Sequence, residues 1–470
     1  MKTRIEHDLL GEKEVPAEAY YGIQTLRGIE NFHNISGLTI SHYPNYVKAL
    51  AMIKWAAAKA NQELEILPDN IADAITRACE EIISGSLHDQ FPVDLIQGGA
   101  GTSTNMNINE VVANRALEIL GHQKGEYEYC HPNDHVNMSQ STNDAYPTSF
   151  KLAFIFMNEE LVSELRRLIA AFRQKGEEFK EIIKMGRTQL QDAVPMTVGQ
   201  EFEAFAANLE EEVERLNQNA KLFLEVNMGA TAIGTGINSE PEYSAKCIKN
   251  LRIISGEEFV LASNLIEATP DAGSAVMYSS ALKRMAVKLS KICSDLRLLS
   301  SGPRCGLSEI NLPPMQPGSS IMPGKVNPVI PEVVNQICFR VIGNDLTVTF
   351  AAEAGQLQLN VMEPVLVDSI FSSIKMLEKG MERLRTQCVE GITVNADRCR
   401  EMVLNSIGIV TALNPTLGYK NSSRIAKRAL KENRSVYDLV LEEGLLTKAE
   451  LDELLKPENM IKPHKFYIKK

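Results

Sequence analysis

The chain has 470 residues, 44% hydrophobic and 23% charged, with a formal net charge of -11. Its mean hydropathy of -0.14 and pI near 5.4 offer no basic surface to nucleic acid, so an anionic ligand must be drawn in by a local site against the overall charge. No run of apolar residues is long enough to span a membrane, and the opening MKTRIEHDLLGEKEV lacks the apolar stretch of a signal peptide. Length sets a prior of about three domains. The eight cysteines are scattered without a CxxC pair, as expected of reduced, mostly buried thiols in a cytoplasm.

Along the chain, strand-like alternation is confined to short pieces near the N-terminus, and long helical patterns follow. Leu161, Leu165, Leu168, Phe172, Phe179 and Ile182 predict one helical face. Phe202, Phe205, Leu209, Val213, Leu216, Ala220 and Phe223 predict a second, and Leu282, Met285, Leu289, Ile292, Leu296 and Leu299 a third. Residues 331–354 and 361–392 make a fourth and a fifth. Between Val326 and Ser373 the only charged residues are Glu332, Arg340, Asp345, Glu353, Glu363 and Asp368. A helix that is apolar nearly all round must be buried nearly all round. Either bundles from several subunits pack together, or these helices are central in a monomer. After about Ala396, NPTLGYKNSS and SVYD interrupt shorter helices, and Thr447 with Glu450 forms a capping-box pattern ahead of Leu451, Leu454 and Leu455. The expected class is all-α, with mainly helical domains over residues 1–141, 142–396 and 397–470.

Three long uncharged runs are rich in Gly, Ser, Thr and Asn: LIQGGAGTSTNMNIN at residues 95–109, VNMGATAIGTGINS at 226–239 and INLPPMQPGSSIMPG at 310–324. A shorter cluster, HVNMSQSTND, ends at Asp144. Any one of these alone reads as a turn or a cap. Four of them at the ends of helical segments point to a composite polar site, because hydroxyls, amides and free N–H groups at helix N-termini attract anions.

Common catalytic patterns are missing. Five residues separate Gly318 from Gly324, where a P-loop has four, and Val326 follows Lys325, so PGSSIMPGKVNP is no P-loop. There is no GxSxG around Ser319 and Ser320, and no histidine lies between residues 136 and 463 to serve them. His131 and His135, with Pro132 between them, read as loop histidines rather than a metal pair. One role remains for such a serine, that of general base. As an alkoxide it would take a proton from carbon beside a carboxylate, given backbone N–H donors and a nearby cation. The doubly charged aci-carboxylate then needs preorganised donors, which GTS and STND supply. Lys325 and Asn327 suit a second carboxylate.

With these residues in hand the chain resembles the aspartase/fumarase superfamily. GSSIMPGKVNP matches its signature, and the likeness extends through GGAGTSTNMNINEV, SQSTNDAYPT and MGRTQLQDAVPM to nearly the whole chain. The resemblance implies three helical domains, a central five-helix bundle, and a homotetramer whose bundles form a twenty-helix core with each active site shared by three chains. KVNPVIPEVVNQ is similar to the aspartase branch, and Gln189 stands where fumarases and some aspartases carry histidine. Glu332 remains, but Gln189 cannot take a proton from water, which favours loss of ammonia over hydration. By resemblance Ser319 is the catalytic base. Thr102, Ser141, Thr142 and Ser320 hold the β-carboxylate and its aci form. Asn143, Thr188 and Gln189 contact the amino group or the neighbouring carboxylate, and Lys325 and Asn327 anchor the α-carboxylate. Elimination of ammonia from L-aspartate to give fumarate is the expected reaction. The alternatives are a class II type fumarate hydratase and a catalytically silent relative reused as a binding protein. No cofactor is required, and divalent-metal activation is not readable from the sequence. Neither nucleic acid nor membrane is an expected partner, and the expected location is cytoplasmic.

Overall fold

The computed structural model describes residues 2–461. Residues 462–470 of the expected C-terminal domain therefore lie outside the described residues. A hairpin of β1 (Thr3–Asp8) and β2 (Gly11–Pro16) precedes α1 (Ile23–Asn31), α2 (Pro44–Glu63), α3 (Asp69–Ile83) and α4 (Thr102–Ile119). Helix α5 (Thr142–Glu178) leads into a second hairpin, β3 (Ile183–Thr188) and β4 (Gln191–Thr197), which runs directly into α6 (Val198–Ala220). Then come β5 (Glu225–Val226), α7 (Tyr243–Ser255), β6 (Val260–Leu261), α8 (Leu265–Ala268) and α9 (Gly273–Leu299). After β7 (Ile310–Asn311) follow α10 (Val329–Glu353), α11 (Glu363–Gln387) and β8 (Thr393–Val394). The chain closes with α12 (Ala396–Asn405), α13 (Val410–Leu417), α14 (Tyr419–Glu432), α15 (Val436–Glu442), α16 (Lys448–Leu454) and α17 (Pro457–Met460). The fold is all-α with minor two-stranded pieces, and α5, α6, α9, α10 and α11 match the five long patterns. Helices begin at Thr142 and Ala396, beside the two expected domain borders. No helix among the described residues is long and apolar enough to cross a membrane.

By internal contacts the chain forms two compact units. The first comprises Met1–Val162, Glu214–Ala286 and Phe339–Leu377; the second comprises Ser163–Val213, Val287–Cys338 and Glu378–Lys470. In the first, the ring of Phe154 lies 5.0 Å from Phe223 and 5.1 Å from Phe371, and Phe223 lies 5.2 Å from Tyr278. Tyr43 stacks on Phe371 at 4.9 Å, drawing the start of α2 onto this aromatic core. Phe223 thus packs with the helices although it sits in a 3-10 turn just past α6. Buried Glu110 of α4 caps α1 by accepting N–H bonds from Gly22 (2.8 Å), Gln24 (2.8 Å) and Thr25 (3.1 Å). Charge-poor α10 is not covered all round within one chain: Phe339, Leu346 and Phe350 are 62%, 56% and 65% exposed. Their spacing of seven and four puts them on one helical stripe.

In the second unit Phe172 of α5 packs on Phe202 and Phe205 of α6 at 6.1 and 5.8 Å, and Phe179, one residue past α5, lies 5.6 Å from Phe202. The segments cross at glycine, because a Cβ on Gly199 would run into the Gly176 carbonyl and the Lys180 backbone. The C-terminal helices pack around Ile409, Leu413, Ile425, Leu439 and Leu451. At α16 the expected capping box is present: Thr447 Oγ1 accepts from Glu450 N at 3.2 Å, and Glu450 Oε2 accepts from Thr447 N at 2.9 Å. All eight cysteines are free, and only Cys305 is exposed.

Candidate active site

Two of the three uncharged runs, 95–109 and 226–239, and the HVNMSQSTND cluster meet in the first unit. Residues 99–101 all take positive φ, and Gly101 (φ 89°) lies against the Tyr146 ring, where a Cβ would be 2.5 Å from ring carbons. That close approach sets the N-terminus of α4 beside the first turn of α5. Thr102 opens α4 with its hydroxyl donating to the Gly99 carbonyl at 2.7 Å. Gln97 fastens the loop by donating to Thr104 Oγ1 (2.9 Å) and accepting from Thr104 N (3.1 Å). Ser141, Thr142 and Asn143 open α5. Ser141 Oγ accepts from Asn143 N at 3.2 Å, and Asp144 Oδ1 accepts from Ser141 N at 3.0 Å. Asp144 also receives the 226–239 run, its Oδ2 accepting from Gly229 N (3.1 Å) and Thr231 N (2.8 Å). Asn143 Nδ2 donates to the Ala232 carbonyl at 2.7 Å, which ties the 226–239 run to the start of α5. Thr102, Ser141 and Thr142 thus share one polar surface between two helix N-termini. Asp144 lies beneath it, and burial pushes that carboxyl up to about 6 against its backbone donors.

Sequence reasoning missed Lys54, which is 1% exposed below this surface. Its Nζ donates to Asn105 Oδ1 (2.7 Å), Gln140 Oε1 (2.8 Å) and Asn137 Oδ1 (3.1 Å). A lone lysine inside ALAMIKWAAA was the available signal. His131 and His135 use their Nδ1 atoms within the loop, accepting the backbone N–H groups of Asn133 and His131 respectively, at 3.1 and 2.8 Å.

The remaining candidates belong to the second unit, in two places. Thr188 ends β3, and Gln189 and Leu190 (φ 54° and 61°) make the two-residue turn to Gln191. Thr188 and Gln189 are exposed, while the hairpin base is anchored. Buried Glu309 forms ion pairs with Arg187 at 2.7 Å and Lys184 at 3.0 Å, and Lys184 also pairs with Glu201 at 2.5 Å. The serine loop closes on itself: Gly318 N donates to the Lys325 carbonyl at 2.7 Å, and Asn327 Nδ2 donates to the Gly318 carbonyl at 2.8 Å. A Cβ at Gly318 would lie 2.8 Å from the Lys325 oxygen and the Asn327 nitrogen. Asn327 therefore holds the loop in shape, while Ser320 and Lys325 are exposed with no side-chain hydrogen bond among the described residues. Inside the loop, Ser319 Oγ accepts from Met322 N at 2.9 Å and Ile321 N at 3.2 Å. Two N–H dipoles aimed at one hydroxyl oxygen stabilise its deprotonated form.

A family model described as lyase matches residues 11–343, and one described as fumarase C C-terminus matches residues 409–462. The chain belongs to this lyase family. Membership agrees with the aspartase/fumarase motifs quoted above. Among lyase-family relatives, the aspartate ammonia-lyase of Pseudomonas canavaninivorans is 62% identical over 98% of this chain and 97% of its own. A crystal structure titled fumarate lyase:delta crystallin from Brucella melitensis, bound to cobalt, is 56% identical with a TM-score of 0.95, covering 98% of this chain and 100% of that one. Recombinant class II fumarase from Schistosoma mansoni is 35% identical with a TM-score of 0.91, covering 99% and 100%. The lyase fold is therefore common to all three.

Proposed function

We propose that the chain is an aspartate ammonia-lyase, a carbon–nitrogen lyase that reversibly converts L-aspartate to fumarate and ammonia with Ser319 as general base. The observation that carries this reading is the pair of backbone N–H groups on Ser319 Oγ, in a chain 62% identical to a relative of that name. The Ser319 alkoxide takes a proton from the carbon next to the β-carboxylate. The released electron pair moves into that carboxylate as an aci form, held by Thr102, Ser141, Thr142 and Ser320. It then returns to form the carbon–carbon double bond as the carbon–nitrogen bond breaks and ammonia leaves. Thr188, Gln189 and Asn143 contact the amino group or the nearby carboxylate, and Lys325 fixes the α-carboxylate by charge. Asn327 supports that anchor by closing the loop.

The polar loops lie far apart in sequence, which supports the assembly read from the motifs: a homotetramer in which three chains complete each site. The bare stripe of Phe339, Leu346 and Phe350 on α10 supports it too, since apolar faces of that kind are covered by association. Helix starts at Thr142 and Ala396 support the three-domain description. The reaction needs no cofactor, and reduced buried thiols suit a cytoplasmic enzyme. Fumarate hydration is disfavoured because Gln189 offers no proton acceptor. Purified protein assayed in parallel with L-aspartate and L-malate should release fumarate from aspartate and negligibly from malate. Comparable turnover of malate overturns the assignment.

A further inference from the structure

Lys54 is a fully enclosed amine that the reaction does not use; burial pulls it down from 10.5 to about 7, while its three side-chain acceptors fit the protonated form, an ammonium. Its three N–H donors meet three side-chain amide oxygens, those of Asn105, Asn137 and Gln140. An ammonium can only donate, so each of these amides must turn its oxygen towards Lys54 and its NH2 away. For Asn105 this leaves Nδ2 donating to Asn137 Oδ1 at 3.1 Å and to Thr142 Oγ1 at 3.1 Å. Asn137 Oδ1 receives a further N–H from Asn109 at 3.1 Å. Asn137 Nδ2 turns to the Gln140 carbonyl at 3.3 Å, and Gln140 Nε2 to the Val136 carbonyl at 3.0 Å. Every amide in the cluster is thereby fixed in one orientation. Thr142 Oγ1 is made an acceptor on its inner side, and no acceptor among the described residues takes its own proton.

We propose that Lys54 is a positioning residue whose buried ammonium, acting through Asn105, turns Thr142 into a hydrogen-bond donor aimed at the substrate carboxylate. Without the cation, the Asn105 amide is free to flip and offer its oxygen to Thr142. The hydroxyl would then point its proton inward and present only lone pairs to an anion. A hydroxyl donating to a carboxylate and one repelling it differ by a charge-assisted hydrogen bond. The inference rests on the reading that Thr142 contacts the substrate.

The test is a double-mutant cycle read by fumarate affinity and by kcat and KM for L-aspartate. Thr142→Val alone should weaken fumarate binding by about 10- to 100-fold. Lys54→Met, of similar length without charge, should weaken it by a comparable factor. In the doubly substituted protein the two losses should fall well short of multiplying. Asn105→Asp keeps a partner for Lys54 but removes the donors to Thr142 and Asn137, and should reproduce the loss in a folded protein with the assembly of the parent. It also supplies the readout should Lys54→Met fail to fold. Multiplicative losses, or an Asn105→Asp protein that binds fumarate normally, overturn the proposal while leaving Thr142 in the site. A Thr142→Val protein that binds fumarate as well as the parent overturns the site reading and the proposal together.

Discussion

Ser319 has neither imidazole nor carboxylate beside it, and its environment instead favours the charge it would carry as a base. Two N–H groups at 2.9 and 3.2 Å lower the cost of the alkoxide without supplying an acceptor for the proton. Ser319→Ala should therefore cut kcat by several orders of magnitude while fumarate affinity changes only a few-fold. A kcat within about ten-fold of the parent would remove the serine from the chemistry. Glu110 gives a residue-scale prediction of another kind. Burial pushes its carboxyl from 4.5 up to about 7, despite three backbone donors. The folded chain then holds a proton that the unfolded chain releases between those values, so stability falls as pH rises through that window. Glu110→Gln should flatten that part of the melting-temperature profile, and an unchanged slope would show that Glu110 is not the group responsible.

Among elements, the long helices were legible because apolar residues at three- and four-residue gaps leave one periodic trace. Their ends were less so: Phe179 and Phe223 continue the apolar stripe and pack in the core after α5 and α6 have ended. The β3–β4 hairpin left no such trace. Its turn is Gln189–Leu190, both at positive φ, where Asn-Gly would have announced it. Lys54 was hidden because a single lysine on an apolar helix reads as a side chain reaching for water. The STND cluster was seen as polar, but its aspartate binds a loop eighty-five residues away, a pairing no local pattern encodes. The serine loop was legible by composition, and its closure by Asn327 was not. That closure rests on two cross-loop bonds, with Ser320 and Lys325 exposed. Residues 314–329 should exchange amide hydrogen quickly in the free protein and more slowly with fumarate bound. Equal exchange in both states would argue for a preformed loop.

For the whole molecule, the proposal that several chains complete each site makes inactive proteins mutually repairable. Thr188→Ala and Ser319→Ala chains, unfolded together and refolded at equal amounts, should regain activity that neither shows alone. Random assortment gives about a quarter of sites an intact threonine and an intact serine from different copies. Tetramers without recovered activity would place both residues of each site on one chain.

The bare face of α10 also governs how the protein is to be handled. On the proposed assembly, Phe339, Leu346 and Phe350 would tie the catalytic count to the number of neighbours a chain has found, since association obeys mass action. Specific activity should then be a property of the stock as well as of the molecule. A sample diluted to nanomolar chain and left standing should lose rate per milligram with time, and regain it on concentration. If three copies complete each site as proposed, fumarate in the dilution buffer should slow that loss, because the ligand is then also a clamp between them.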